Sequence, residues 1–277
     1  MYIDLSKAPD FLKLEPGDLF RLEREKVEDL RIFFDNSSFP TAVIGLSGGL
    51  DSAVSLALIV RALGPERVIA VRLPCWDLHT NSLQRAEEIA QSVQLPPENL
   101  LTVNITEPVE SLCRLRGIDL TNRRIENKKR IGNITARMRM QVLMDECTIR
   151  GALLIGTENQ TEKLMAYYTI GGDEVSNYEP IQNLWKTQVF QLAKHLRLPN
   201  CVLDAAPSAE LWVGQTDEDE MGINYLTIDT VLLGHRLGLG RNILNQRHHV
   251  SFDDHIRVMQ HFERLAGKRG SPHIAPR

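Results

Sequence analysis

A chain of 277 residues with 43% hydrophobic and 25% charged residues has an ordinary globular make-up, enough for one large α/β domain or two small ones. A net charge of −4 argues against nucleic acid as a main partner, and the absence of any run of eighteen apolar residues argues against a membrane span. The opening residues MYIDLSKAPDFLKL lack the basic start and apolar core of a signal peptide, and Cys75, Cys113, Cys147 and Cys201 stand far apart with no C-x-x-C, as expected for reduced thiols of a cytoplasmic protein.

Taken in order, Asp18–Phe34 has the apolar spacing of an amphipathic helix. Thr41–Leu46 is a β-branched apolar run, expected as the first strand, and Ser52–Leu63 is an Ala/Leu-rich helix ended by Gly64-Pro65. Arg67–Leu73 is expected as the second strand, Asn81–Val93 as a helix, Leu100–Asn104 as the third strand and Glu107–Leu115 as a short helix. The basic stretch Arg123–Arg130 reads as a mobile loop, Asn133–Arg150 as a long helix and Gly151–Gly156 as the fourth strand. Strands alternating with helices, each strand a near-continuous apolar run, imply an α/β fold: a doubly wound parallel sheet with helices on both faces. Tyr167–Glu179 is polar and glycine-containing, expected as a flexible loop. Leu184–Leu196, Tyr225–Leu233 and Asp254–Leu265 read as helices, Ala206–Asp219 as irregular, and Gly267–Arg277 as a basic tail. The expected organisation is one domain over 1–277, with the helices and tail of about 200–277 packed on it.

The chemistry concentrates in the turn between the first strand and its helix, Ser47-Gly48-Gly49-Leu50-Asp51-Ser52. Paired glycines let backbone N–H groups approach an anion, and the helix start adds partial positive charge. Ser47 and Ser52 add hydroxyl donors, so the turn suits a phosphate or pyrophosphate. Asp51 would repel such a group unless a divalent cation such as Mg²⁺ stood between them. A plain glycine turn capped by Ser or Asp is the competing explanation. The turn is neither G-x-x-x-x-G-K-[ST] nor G-x-G-x-x-G, and Gly238-Leu239-Gly240 lacks both the third glycine and a preceding strand.

Three further clusters bear on this. Thr157 and Glu162 stand after the fourth strand, where Glu162 and Asp51 could share one metal ion; complementing the helix dipole is the alternative for Glu162. Arg137 and Arg139, two apart, cannot share a helix face, so one can address the cleft and the other something else. Lys186 begins a helix from which it could reach a phosphate, although a lone lysine is usually solvated. His248-His249 with Asp253-Asp254-His255 has no spacing that promises a metal cage.

Ser-Gly-Gly-x-Asp-Ser after a strand resembles the pyrophosphate loop of the adenine nucleotide α-hydrolases. With GNITARMRM (132–140), GTENQTE (156–162), LWKTQVFQLAKHL (184–196) and PSAELWVGQTDEDEMG (207–222), the chain resembles the ammonia-dependent NAD synthetase family over about residues 20–272. That resemblance implies a carbon–nitrogen ligase that adenylates the nicotinate carboxylate of deamido-NAD with ATP, releases pyrophosphate, then admits ammonia and releases AMP. It implies that Gly45, Leu46, Ser47, Gly48, Gly49, Leu50, Asp51 and Ser52 hold ATP phosphates. It further implies that Asp51 and Glu162 bind Mg²⁺, and that Arg72, Thr157, Lys186 and Ser208 contact ATP. Asp51, Glu162 and Lys186 form the implied catalytic set. Arg137, Ile170, Asp173, Asn177 and Lys268 fall where the family binds deamido-NAD, near a homodimer interface.

At that dinucleotide site the sequence departs from the family. A usual lysine is Ile170, a usual aspartate is Asn177, and a usual His-Lys-Arg reads Gly267-Lys268-Arg269. ATP activation is therefore expected intact, while the acid could be deamido-NAD or another carboxylic acid. A non-catalytic ATP-binding subunit is the reading from a different class, and the retention of both Asp51 and Glu162 argues against it. No glutaminase module is expected, so ammonia comes from solution or from a separate glutaminase.

Overall fold

The computed structural model describes residues 3–76, 80–121, 124–206, 208 and 216–269. Its centre is a four-stranded parallel sheet in the order β3-β2-β1-β4, built from β1 (Thr41–Gly45), β2 (Val68–Arg72), β3 (Leu100–Thr102) and β4 (Ala152–Ile155). The register pairs Val43 with Ile69 on one side and with Leu154 on the other.

Period-two alternation divides these strands between two cores. Ala42, Ile44, Val68, Ala70 and Ile155 pack with α1 (Pro16–Asp35) and α2 (Leu50–Leu63). Val43, Ile69, Val71, Ala152 and Leu154 pack on the other face. The sequence between β2 and β4 supplies α3 (Thr80–Ser92), α4 (Thr106–Leu115) and α5 (Ile125–Arg150). Of these, α4 and α5 cover the second face through Val109, Cys113, Met140 and Leu143, while α3 joins the first core through Ala86, Ile89 and Ala90. Helix α2 is buried continuously from Ser52 to Val60, as a helix between a sheet and two other helices must be.

After β4 come α6 (Gln160–Met165), α7 (Lys186–His195), α8 (Asn200–Leu203), α9 (Asp217–Met221), α10 (Tyr225–Arg236), α11 (Arg241–His248), α12 (Phe252–Arg264) and α13 (Ala266–Arg269). A third apolar cluster, with Met165, Trp185, Ile228, Val231, Leu244 and Val258, fixes the last helices beside α6 and α7.

Two expectations need correction. Ile125–Arg130 are not a loop but the first two turns of α5; Arg123 lies outside the described residues. Lysine and arginine are good helix formers, and Ile131 and Ile134 anchor the next turn on the second core, so charge alone was a poor guide. Tyr167–Glu179 is held more closely than its polarity implies. Thr169 N–H donates to Asp173 Oδ1 at 3.0 Å, Asn177 Oδ1 accepts Leu154 N–H at 2.8 Å, and Ile155 forms a parallel bridge with Tyr178. Part of Ala206–Asp219 and the tail from 270 onward lie outside the described residues. Helix α11 was missed because its apolar content is low, with Leu244 its one buried residue.

Candidate active site

All four strands point their carboxyl ends the same way, and there the loops after β1, β2 and β4 surround a cavity of about 730 Å³. This is where open parallel sheets bind ligands.

The β1–α2 turn is built from its own small residues. Gly48 has φ +82°, and a Cβ there would stand 2.4 Å from the Ser82 carbonyl oxygen, so glycine is needed twice over. Ser47 Oγ accepts Gly49 N–H at 3.1 Å and lies 3.0 Å from Ser52 Oγ; Ser52 Oγ donates to the Gly49 carbonyl at 3.1 Å. Arg85 Nε donates to the Gly48 carbonyl at 3.0 Å, turning a cation toward the loop. Gly49 is the N-cap of α2 without a side-chain cap, which leaves first-turn N–H groups for an anion.

Under the turn lies the charged centre. Lys186, only 2% exposed, donates from Nζ to Asp51 Oδ2 at 2.5 Å and Glu162 Oε1 at 3.1 Å, and sits 4.8 Å over the Tyr225 ring. Burial works to strip the Lys186 proton, but Asp51 and Glu162 outweigh it and hold the ammonium form. Burial pushes Glu162 up against the pull of Lys186. Asn159 caps α6 through Glu162 N–H at 3.0 Å and donates Nδ2 to Asp51 Oδ1 at 2.9 Å, locking the loops after β1 and β4 together. Asp229 anchors the start of α7 by accepting from Thr187 N–H at 2.9 Å and Thr187 Oγ1 at 2.8 Å, and from Thr161 Oγ1 at 2.6 Å. Burial raises its carboxyl to about 6.

Asp51 and Glu162 converge on one nitrogen, so both carboxylates already address a single point of positive charge. That donor set of hard oxygens fits Mg²⁺.

Of the residues singled out by sequence, Gly45, Leu46, Ser47, Gly49, Leu50, Asp51, Ser52, Arg72, Thr157, Glu162, Asp173, Lys186, Ser208 and Lys268 line the cavity. Gly48 forms the turn behind it. Arg137, Ile170 and Asn177 are not among the lining residues. Arg137 Nε donates to the Ile170 carbonyl at 3.0 Å, and Ile170 is 43% exposed. Arg139 lines the cavity instead, its Nε donating to the Leu73 carbonyl at 3.3 Å. Arg72 is paired with Glu87 at 2.8 Å.

Sequence reasoning also missed Asp217. It is 4% exposed, lines the cavity and accepts from Tyr225 Oη at 3.0 Å and Tyr167 Oη at 3.3 Å. In the sequence it was one of several acids in Asp217-Glu218-Asp219-Glu220, with no local sign of which is buried. Among the described residues no group of three His, Cys, Asp or Glu is placed to hold a metal, and His248 instead packs edge-on against Phe11 at 5.2 Å.

Fold and site together define an enzyme of the adenine nucleotide α-hydrolase-like class, with a serine-glycine turn at the carboxyl edge of a parallel sheet. The comparisons with known proteins narrow this. The NAD synthase family model matches residues 23–272. The chain is 37% identical over 215 residues to an NH(3)-dependent NAD(+) synthetase of Fusobacterium nucleatum, covering 78% of this chain and 80% of that protein. Among solved structures it is similar to NMN synthetase of Francisella tularensis, with TM-score 0.79 and 32% identity over 95% of this chain and 99% of that one. It is also similar to the NH3-dependent NAD synthetase of Campylobacter jejuni, with TM-score 0.75 and 25% identity over 94% of this chain and 100% of that one. The chain belongs to the NAD synthase family and is an ATP-dependent amide-forming ligase.

Proposed function

We propose that this chain joins ammonia to the nicotinate carboxylate of deamido-NAD, giving NAD, AMP and pyrophosphate. The observation that carries the reading is the Lys186–Asp51–Glu162 cluster beneath the Ser47–Ser52 turn, inside a cavity at the carboxyl edge of the sheet. A carboxylate is a poor acyl donor because oxide would have to leave. Transfer to the ATP α-phosphate makes AMP the leaving group, and ammonia then attacks the carbonyl carbon. Two anions must approach for the first step, so positive charge is needed where charge develops. In this reading the Gly49–Ser52 N–H groups and the Ser47 and Ser52 hydroxyls hold the departing pyrophosphate. Lys186 offsets charge on the reacting phosphate, and Arg72, Thr157 and Ser208 orient the nucleotide. Asp51 and Glu162 would hold Mg²⁺, which neutralises phosphate oxygens when bound. No side chain need act as a covalent nucleophile, because the activated group is on the substrate.

A second reading of the acid has specific support. Ile170 and Asn177 depart from the family pattern, Asn177 is engaged in holding β4, and the solved structure with TM-score 0.79 is an NMN synthetase. Nicotinate mononucleotide, which presents the same carboxylate without the adenylate half, is therefore the alternative acid. Measuring AMP formation with ammonium, ATP and each acid in turn decides. Higher kcat/KM with deamido-NAD upholds the first reading; higher kcat/KM with the mononucleotide replaces it with the second.

The finer features follow the family resemblance: a homodimer, a cytoplasmic location, and ammonia taken from solution or from a separate glutaminase. Among the described residues no helix is long and apolar enough to cross a membrane.

A further inference from the structure

The two carboxylates at the charged centre are each held twice. Asn159 Nδ2 donates to Asp51 Oδ1 at 2.9 Å, and Asn159 N–H donates to Glu162 Oε2 at 3.3 Å. The remaining oxygens, Asp51 Oδ2 and Glu162 Oε1, both accept from Lys186 Nζ, at 2.5 and 3.1 Å. One asparagine therefore sets the spacing of the pair, and the lysine fills the point between their free oxygens. That point is also where a cation shared by both carboxylates has to stand. Among the described residues no third acid, histidine or cysteine joins them in a group arranged for a metal. Mg²⁺ held by one or two carboxylates takes its other ligands from water and from substrate phosphates. An ammonium group and a divalent ion cannot share one point, and side by side they repel.

Nor can Lys186 simply leave. Its side chain is 2% exposed and those of Asp51 and Glu162 are 16% exposed, so its departure alone strands two largely buried charges. Asp217 and Asp229 also feel the lysine's charge, which makes the surroundings more acidic still. The lysine is fixed at its root and free at its tip. Its N–H donates to Thr161 Oγ1 at 2.9 Å, and Asp229 holds the next residue, Thr187, by its N–H at 2.9 Å. From there the side chain runs on a flexible four-carbon stem. Nζ lies 4.8 Å over the ring of Tyr225, whose hydroxyl donates to Asp217 at 3.0 Å. Rotation of the stem carries Nζ from the acids toward the Ser47–Ser52 turn, to which Asp51 itself belongs, with α7 left in place.

We propose that Lys186 is a placeholder for the metal, and that metal and nucleotide are taken up together: the nucleotide phosphates give the lysine a new anionic partner as the two carboxylates pass to the metal. The free chain then binds the metal poorly by itself. The lysine reaches the phosphates only in the complex that holds both, so neither half of the exchange leaves a buried charge unpaired. Asn159 keeps Asp51 and Glu162 in position throughout, because its bonds go to the oxygens the exchange does not use.

The proposal rests on the reading that Asp51 and Glu162 are the metal carboxylates, and neither of its tests depends on turnover. The first is Mn²⁺ binding to the free full chain, followed by electron paramagnetic resonance, for the parent, for Lys186→Met and for Lys186→Met combined with Asp51→Asn. Removing the lysine is expected to tighten Mn²⁺ binding roughly tenfold or more, because the metal then restores the charge balance the lysine supplied; adding Asp51→Asn is expected to abolish that gain. Equal or weaker binding by Lys186→Met overturns the proposal, as does a gain that survives Asp51→Asn. The second test uses the parent alone, so it decides whether or not the variants fold. Crystals are soaked with Mn²⁺, with and without an ATP analogue carrying a methylene group between its α and β phosphorus atoms, and the metal is located by anomalous scattering. With the analogue, a peak is expected on Asp51 Oδ2 and Glu162 Oε1, with Lys186 Nζ moved from both onto a phosphate oxygen. Without the analogue, no peak is expected there at the same Mn²⁺ concentration. A peak on the two carboxylates with Nζ still bonded to either, or a peak without the analogue, overturns the proposal and leaves the metal reading standing. A peak on other residues, or none, with the analogue bound overturns both.

Discussion

The side of the cavity proposed here for the nucleotide and the side proposed for the acid are built differently. On the nucleotide side, a turn of six consecutive residues makes its own hydrogen bonds, and α2 behind it is buried over nine residues. On the acid side, α5, the 167–179 segment and the C-terminal helices meet through contacts between distant positions. Lys268 donates Nζ to the Ala166 carbonyl at 2.7 Å and stands 4.3 Å over the Tyr168 ring; His261 Nε2 lies 3.0 Å from the Met165 carbonyl. The first side is a local device that its sequence nearly spells out. The second is an assembly whose parts mean little until packed, and it carries Ile170 and Asn177, where the sequence reading expects a departure from the family pattern.

Variants can break that contrast, starting where the largest effect is expected. Asp51→Asn removes the charge proposed to act, through Mg²⁺, at the reacting phosphates while preserving the Asn159 contact, and should slow pyrophosphate release by about 10²–10³-fold, the scale for loss of one preorganised electrostatic contact. A loss below tenfold would show that Asp51 serves the turn rather than the reaction.

Leu56→Ala tests the scaffold under the same side. Leu56 is fully buried in the first core, so the variant should lose about 2–5 kcal/mol in denaturant unfolding. A loss under ~1 kcal/mol would mean that α2 is not the support described.

Arg139 and Arg137 sharpen the account of the acid side. Arg139→Ala should raise the acid KM by about 10–100-fold, the scale for losing one hydrogen bond to a charged group, while Arg137→Ala does less. The reverse order would place the acid outside this cavity, against the outer face of α5 where Arg137 lies.

The smallest effect concerns pH. Burial lifts Glu158 from its ordinary 4.5 to about 7, so the folded chain keeps a proton that the unfolded chain releases. The resulting stability is complete below pH 4.5 and is lost as pH rises through about 7. Over that window it amounts to about 3 kcal/mol. Glu158→Gln should flatten this part of the stability profile; an unchanged slope would put the proton elsewhere.

Legibility followed the same division. The four strands stood out as apolar runs, and the turn was readable because its function needs adjacent small residues. Lys186 was readable only through family resemblance, since nothing local distinguishes a lysine 2% exposed from a solvated one. Asp217 and Asn159 escaped because their roles depend on Tyr225, Tyr167 and Asp51 arriving from other elements. The start of α5 was misread because a basic run has no apolar period, although Ile131 and Ile134 just beyond it settle the helix on the second core.

The most direct test of the central claim omits ammonia. Chain, ATP, Mg²⁺ and deamido-NAD are mixed, and pyrophosphate is followed over a single turnover, with nicotinate mononucleotide run in parallel. The account predicts a burst of pyrophosphate near one equivalent per site with at least one of these acids, and AMP only after ammonium is added. Release of ADP and phosphate, or no pyrophosphate with either acid until ammonium arrives, would contradict it.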